Sequence, residues 1–338
     1  MNKNRYFYPV SLSSTPKKYP VPLFSDKNQL EKELNRLGLK ISIGGALKGG
    51  TVSQVYSGRL DHKKVVIKHV DNLIPFDPTE FFIDKNGLKT DVQVLKKLDK
   101  SKNIRVPKVI KVFFEINTII LEDLNESGFY LLNDKIILRE LDVNSALTIG
   151  ESLANLALES REWEKFITNE SVEQSIYERG LELRLAYPNT QTEYLFLEKE
   201  FVSNNQYFCW PDGHPKNILI NKKGECAFID FGRSHWGDQH YMLPNFLAHI
   251  VIYYLAGYIE KELTRDYLLQ CINTFKKIEP VDENIFCQYL AMEVLHRANG
   301  KWITGIETKE QKLALLKFGY TVFDEKIGSV DKLLKLLS

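Results

Sequence analysis

The sequence predicts an α+β protein of two lobes, a small β-rich one followed by a larger helical one. Three observations predict it. Strand-like apolar runs crowd the chain before Leu124, and helical periodicity dominates after it. A single hairpin, from Asn217 to Asp230, interrupts the helical part. At 338 residues the chain is long for one average domain and comfortable for two. The expected division is an N-terminal extension over 1–25, an N-lobe over 26–124 and a C-lobe over 125–338.

Residues 1–25 are rich in Pro and Ser and are expected to run over the surface. Asp26 can cap a helix through Leu30, Leu34 and Leu37, with Gly38 as its stop. Strand-like runs follow at Lys40–Leu47, Ser53–Leu60 and Lys64–Val70. Residues 71–84 contain Pro75 and Pro78 and read as a long connection. A helix over Leu88–Leu98 turns Val92, Leu95 and Leu98 to the core. Two more strands, Val109–Glu115 and Thr118–Glu122, meet at a tight turn at Ile116-Asn117. Beyond Leu124, helices are expected over Ala146–Ser160, Val172–Leu185, Glu193–Phe201 and from Leu243 onward. In the stretch after Leu243, Phe246, Leu247, Ile250, Val251, Tyr254 and Leu255 fall on one face of a core helix.

The chain is 43% hydrophobic and 26% charged, as in an ordinary soluble protein. Its net charge of +1 argues against nucleic acid or a membrane surface as a general partner. Four cysteines without CxxC or metal-type spacing read as reduced thiols, so a cytoplasmic protein is expected. The polar N-terminus lacks the apolar core of a secretion signal. Oligomeric state is not legible in the sequence.

The chemistry concentrates in Trp210-Pro-Asp-Gly-His-Pro-Lys-Asn217 and Phe228-Ile-Asp-Phe-Gly232. The hairpin reading brings Asn217 and Asp230 to neighbouring strand ends, with Asp212 five residues before Asn217. Phosphoryl transfer from a nucleotide needs this set: one carboxylate to orient the attacking hydroxyl, and an amide and a second carboxylate to hold magnesium. Upstream, Lys48-Gly-Gly-Thr-Val-Ser53 lies between two strand-like runs. Gly49, Gly50, Thr51 and Ser53 can let backbone amides approach phosphate oxygens there. Val65-Val-Ile-Lys68 then ends in a lysine able to reach the phosphates, and Asp91 on the following helix is its expected carboxylate partner. Singly, each has a plainer reading: a hairpin turn, a solvated lysine, a first-turn carboxylate, a turn aspartate. Their joint occurrence favours a nucleotide–magnesium site. His214 reads as a packing and hydrogen-bonding residue, and Lys216 as either solvated or near the transferred phosphate.

These residues resemble the aminoglycoside phosphotransferase and choline kinase group, small-molecule kinases of protein-kinase-like fold. The similarity runs from about Lys40 to about Phe318, and His214-Pro-Lys-Asn-Ile-Leu219 and Phe228-Ile-Asp-Phe-Gly-Arg-Ser234 carry it. It implies Asp212 as the catalytic carboxylate, Asn217 and Asp230 as magnesium ligands, and Lys68 with Asp91 on the nucleotide phosphates. It also implies backbone groups of Glu122, Asp123 and Leu124 at the adenine edge, and Arg297, in Glu293-Val-Leu-His-Arg-Ala-Asn-Gly300, facing the substrate. Arg297 reads equally as a helix-end charge before a Gly300 stop. The expected cofactors are ATP, with GTP as the alternative nucleotide, and Mg2+. The expected partner is a small-molecule hydroxyl acceptor.

Three features depart from the family pattern. Trp210-Pro211 stands where His-Gly is usual, Asp91 replaces a longer glutamate, and the 71–84 connection is more like that of methylthioribose kinase. The first two keep open a nucleotide-binding pseudokinase or regulatory module. A protein kinase is the third reading, disfavoured because no Ala-Pro-Glu follows Gly232. The acceptor is equally open among antibiotic, sugar, amino alcohol and other metabolite. Glu260, Glu262 and Asp266, the nearest thing to an aminoglycoside-type carboxylate cluster, read as a solvated face.

Overall fold

The computed structural model describes residues 24, 26–47, 53–70, 87–164, 166, 197, 207–299 and 306–337. The connection at 71–84 and the helices expected over Val172–Leu185 and Glu193–Phe201 lie outside them, apart from Leu197.

The first helix, α1 (Lys27–Arg36), starts where Asp26 accepts hydrogen bonds from the backbone N–H groups of Asn28 and Gln29, at 2.7 and 3.1 Å. It stops before Gly38, whose φ of +89° a side chain would resist. Strands β1 (Ile41–Ala46), β2 (Gln54–Leu60) and β3 (Lys63–His69) form a meander. Helix α2 (Gly87–Leu98) then leads to β4 (Val109–Phe113) and β5 (Thr118–Glu122), giving an antiparallel sheet of order β1-β2-β3-β5-β4. The strand expected to reach Glu115 ends at Phe113. Residues Phe114–Ile116 wind into a 3-10 turn closed by Asn117 at φ +45°, a conformation asparagine tolerates.

Alternation along the strands gives each sheet face its role. Val65, Ile67 and Ile120 pack with Leu30 and Leu34 of α1 in a small separate core. Ile119 and Leu121 point the other way and join α2 in the large core that continues into the C-lobe. Lys68 follows Ile67, so its side chain leaves on the α2 side.

The C-lobe opens with a 3-10 turn at Leu124–Ser127, β6 (Tyr130–Leu131), α3 (Leu132–Ile137) and α4 (Asn144–Ser160). It continues with β7 (Tyr207–Cys209), β8 (Ile218–Ile220), β9 (Cys226–Phe228) and β10 (His235–Gly237), then α5 (Met242–Leu255), α6 (Lys261–Lys276), α7 (Glu283–Asn299), α8 (Lys309–Asp324) and α9 (Val330–Leu336). The expected hairpin is β8–β9. It is not alone: β6 adds a third strand to it, and β7 pairs with β10 in a second small sheet. These extra strands are two or three residues long, too short for alternation to register in the sequence.

Helix α5 also differs from its one-faced pattern. Every residue from Met242 to Tyr253 is buried, because α4, α6, α7 and α8 all contact it. Cys209, Cys226, Cys271 and Cys287 are buried and none forms a disulfide. Among the described residues no helix is long and apolar enough to cross a membrane.

Truncating Leu34, fully buried between α1 and the sheet, tests the small core. Leu34→Ala is expected to cost about 2–5 kcal/mol, read by denaturant unfolding. A loss under 1 kcal/mol would mean that α1 is not docked.

Candidate active site

Lys68 enters the space between the lobes from β3, and its ammonium meets two carboxylates. Nζ lies 2.6 Å from Asp91 Oδ2 and 2.8 Å from Asp230 Oδ1. Lys68 and Asp91 are buried, while the Asp230 side chain retains 37% of its exposure. Burial alone would lower the lysine pKa. The carboxylates of Asp230 and Asp91 outweigh it and hold the ammonium protonated, above the ordinary lysine value. Asp230 shows the reverse balance: burial disfavours its charge, but Lys68 pulls its pKa below the ordinary carboxylate value.

Asp91 does more than pair with lysine. Its Oδ1 accepts the Phe231 N–H at 2.9 Å, so one carboxylate joins α2, β3 and the turn after Asp230. The helix can come this close because both backbones are bare. A Cβ built on Gly87 would lie 3.1 Å from the Gly232 carbonyl oxygen, and one on Gly232 would lie 3.3 Å from that of Gly87. This close approach brings α2 within reach of Lys68 for a side chain as short as aspartate.

The hairpin supplies the opposite wall. Asn217 precedes β8 and Asp230 follows β9; the Ile229 N–H donates to the Asn217 carbonyl at 3.0 Å, which keeps the two strand ends adjacent. Asn217 Nδ2 donates to the Asp212 carbonyl at 3.0 Å, closing the loop between them. With its nitrogen so used, the Asn217 amide oxygen is left as a donor atom for a cation. Together with the half-exposed Asp230 carboxylate it offers hard oxygens of the type Mg2+ prefers. Among the described residues no cluster of three or more His, Cys, Asp or Glu is arranged to hold a metal. Two protein oxygens completed by phosphate oxygens and water fit magnesium, which is held in that way at nucleotide sites.

Asp212 is partly exposed, and Arg233 Nε stands 4.0 Å from its Oδ2. Two loop supports went unread in the sequence. Asn245 of α5 donates to the Pro211 carbonyl at 2.8 Å, and the Trp210 indole donates to the Asp230 carbonyl at 3.1 Å. A polar residue inside the most apolar helix was the available signal for Asn245. Trp210 also packs: its ring centroid is 4.9 Å from those of Phe228 and Phe231.

The remaining expected residues are distributed as follows. Ser53 stands half-buried just before β2, while Gly49, Gly50 and Thr51 lie outside the described residues. The Glu122 N–H donates to the Lys108 carbonyl, and its carboxylate pairs with Arg105. Asp123 caps the following 3-10 turn by accepting from the Asn125 N–H. Leu124 is buried. Arg297 is 8% exposed, and its Nε donates to Glu293 Oε1 at 2.8 Å. Glu293 also accepts from the Tyr241 hydroxyl at 2.6 Å, so Arg297 belongs to a buried network behind the loop. Glu260, Glu262 and Asp266 are exposed, as a solvated face should be.

His214 packs against His249, ring centroids 5.4 Å apart, and its Nδ1 has no hydrogen-bond partner among the described residues. Burial, outweighing nearby Asp212, pushes its pKa down to about 4. Burial also lowers His249 well below the ordinary histidine value. Lys216, half-buried, is lowered by burial and then by Arg297.

No family model matches the sequence, and no curated protein matches it. The fold does match solved structures. The choline kinase LicA from Streptococcus pneumoniae superposes with a TM-score of 0.55 at 14% identity, over 88% of this chain and 99% of that one. The amicoumacin kinase hAmiN, in complex with AMP-PNP, Ca2+ and Ami, gives 0.56 at 12% identity over 91% and 96%. A choline/ethanolamine kinase family protein from Mesorhizobium loti gives 0.51 at 11% identity over 92% and 98%. The architecture is therefore the bilobal, protein-kinase-like one of these small-molecule kinases.

Asp91→Ala is expected to destabilise the protein by about 3 kcal/mol in denaturant unfolding, since it leaves the Phe231 N–H unpaired and weakens the neutralisation of Lys68. Asp91→Glu keeps the charge and should lose less, limited by the extra methylene against the Gly87–Gly232 contact. A larger loss for Asp91→Glu would contradict this order.

Below the ordinary histidine pKa the unfolded chain binds protons that buried neutral His214 and His249 refuse. Stability should then fall as pH drops from about 6.5 toward about 4. His214→Asn should flatten part of that slope in melting temperatures measured across the range.

Proposed function

We propose that this chain is an ATP- and magnesium-dependent phosphotransferase acting on a hydroxyl group of a small molecule. The observation that carries the reading is that Lys68 pairs with Asp230 while hydrogen bonds hold Asn217 beside the Asp230 strand end and join it to Asp212. Each offers the charge or donor that phosphoryl transfer needs at that point. Lys68, protonated at all physiological pH values, would neutralise nucleotide phosphate oxygens. The Asp230 carboxylate and the Asn217 amide oxygen would hold Mg2+, which supplies charge neutralisation on the transferred phosphoryl group.

Asp212 would accept a hydrogen bond from the acceptor hydroxyl and orient its oxygen for in-line attack. As the new P–O bond forms and the bond to the leaving nucleoside diphosphate breaks, the hydroxyl proton would pass to the Asp212 carboxylate, and ADP would leave with the pair of electrons from the broken bond. Catalysis on this scheme is mainly positioning and electrostatics, so rigid supports around the loop matter as much as the carboxylate itself. The small-molecule acceptor is supported by the run from Gly232 through β10 almost directly into α5, with no long segment between them for docking a polypeptide. The kinases named above as structural neighbours act on choline and amicoumacin, which supports the same class.

The test is magnesium-dependent ADP formation across a panel of hydroxyl compounds: amino alcohols, sugars, nucleosides and aminoglycosides. Asp212→Asn should lower turnover by about a thousandfold or more while ATP affinity stays within about threefold. Equal ADP formation by wild type and Asp212→Asn, with the true acceptor present, would overturn the assignment. Nucleotide binding without transfer to any acceptor would favour the pseudokinase alternative.

A further inference from the structure

The Asp230 backbone has φ +62°, in the left-handed region that non-glycine residues rarely occupy. Something must hold it there, because the same residue presents its carboxylate to Lys68. Its carbonyl oxygen accepts the Trp210 indole N–H at 3.1 Å. Trp210 is fully buried and wedged against Phe228 and Phe231, the residues that flank the turn on either side. The ring also touches the opposite loop: a Cβ on Gly213 would lie 3.1 Å from indole Cε3. Gly213 directly follows Asp212, and the Pro211 carbonyl just before it is held by Asn245.

On the phosphotransferase reading above, we propose that Trp210 is a positioning residue whose indole N–H clamps the strained Asp230 peptide and so aims its carboxylate at the metal. The ring face supports the Asp212 loop while the ring nitrogen restrains the Asp230 turn. One side chain thereby couples the placement of the hydroxyl-orienting and metal-holding carboxylates. A purely apolar residue of similar shape would keep the packing and lose the coupling. The donor is what matters, and the residue pair Trp210-Pro211 is how this chain supplies it in place of the usual His-Gly.

The experiment compares the full chain with Trp210→Phe, which keeps an aromatic ring without the donor, and Trp210→His, which keeps an N–H on a smaller ring. Hydrogen–deuterium exchange is followed in the segment 226–234, with α7 as the internal control. AMP-PNP binding is titrated against Mg2+ concentration. Trp210→Phe should speed exchange in that segment by about five- to tenfold with α7 unchanged, the loss of roughly one hydrogen bond. It should also raise the Mg2+ concentration needed for half-maximal nucleotide binding several-fold, as expected when a charge-holding side chain loses its aim. Trp210→His should recover a good part of both.

Wild-type exchange and wild-type Mg2+ dependence in Trp210→Phe would overturn the clamp. So would Trp210→His failing in proportion to its loss of overall stability. Should Trp210→Phe not fold, 15N-labelled tryptophan in the unaltered sequence decides the matter. The Trp210 indole N–H, assigned by substituting Trp163, Trp236 and Trp302 one at a time, must exchange slowly, and rapid exchange would overturn the proposal. If the wild type binds no nucleotide with Mg2+, the phosphotransferase reading fails while the exchange result still decides the clamp.

Discussion

A buried ammonium between two carboxylates is the constraint around which the two lobes are organised. Lys68 leaves β3 on the face opposite the α1 core, and a lone charge there would be expensive to desolvate. Asp91 and Asp230 compensate it, at 2.6 and 2.8 Å. Those two residues come from a helix of the N-lobe and a turn of the C-lobe. The charge balance therefore sets where α2 lies, and the bare backbones of Gly87 and Gly232 let it lie there.

Behind this cluster, the loop carrying Asp212 is held by polar groups inside an apolar lobe. Asn245 in α5, the Trp210 indole, and the Tyr241–Glu293–Arg297 network are all buried. Buried polar groups must find partners, and each partner found here is a loop carbonyl, a turn carbonyl or another member of the network. Such requirements are directional where hydrophobic packing is not. They give the loop carrying Asp212 one path over a core that would tolerate several.

Much of this was readable in the sequence because the signals are local. The Asp26 cap, the Gly38 stop, the apolar runs of β3 and β5, and the hairpin that joins Asn217 to Asp230 are all set by near neighbours in the chain. Other features were misread or missed for equally physical reasons. Strands β6, β7 and β10 are too short to show a period. Helix α5 is covered on all sides, so its apparent single face did not describe its surroundings. The tie from Glu293, which holds Arg297, to Tyr241 spans too great a separation for a local pattern to show.

What the sequence determined by itself was the set of chemical groups and their order along the chain: a lysine on a strand, an acid on the next helix, and three polar residues around a hairpin. Backbone periodicity and turn chemistry depend on near neighbours, so they survive in a linear reading. Tertiary structure decided which of those groups meet. Residues 91 and 231 share a hydrogen bond, and residues 68 and 230 share a charge, across separations that no local pattern encodes. It also decided the part played by Trp210, whose N–H acquired a partner only when Asp230 was folded against it.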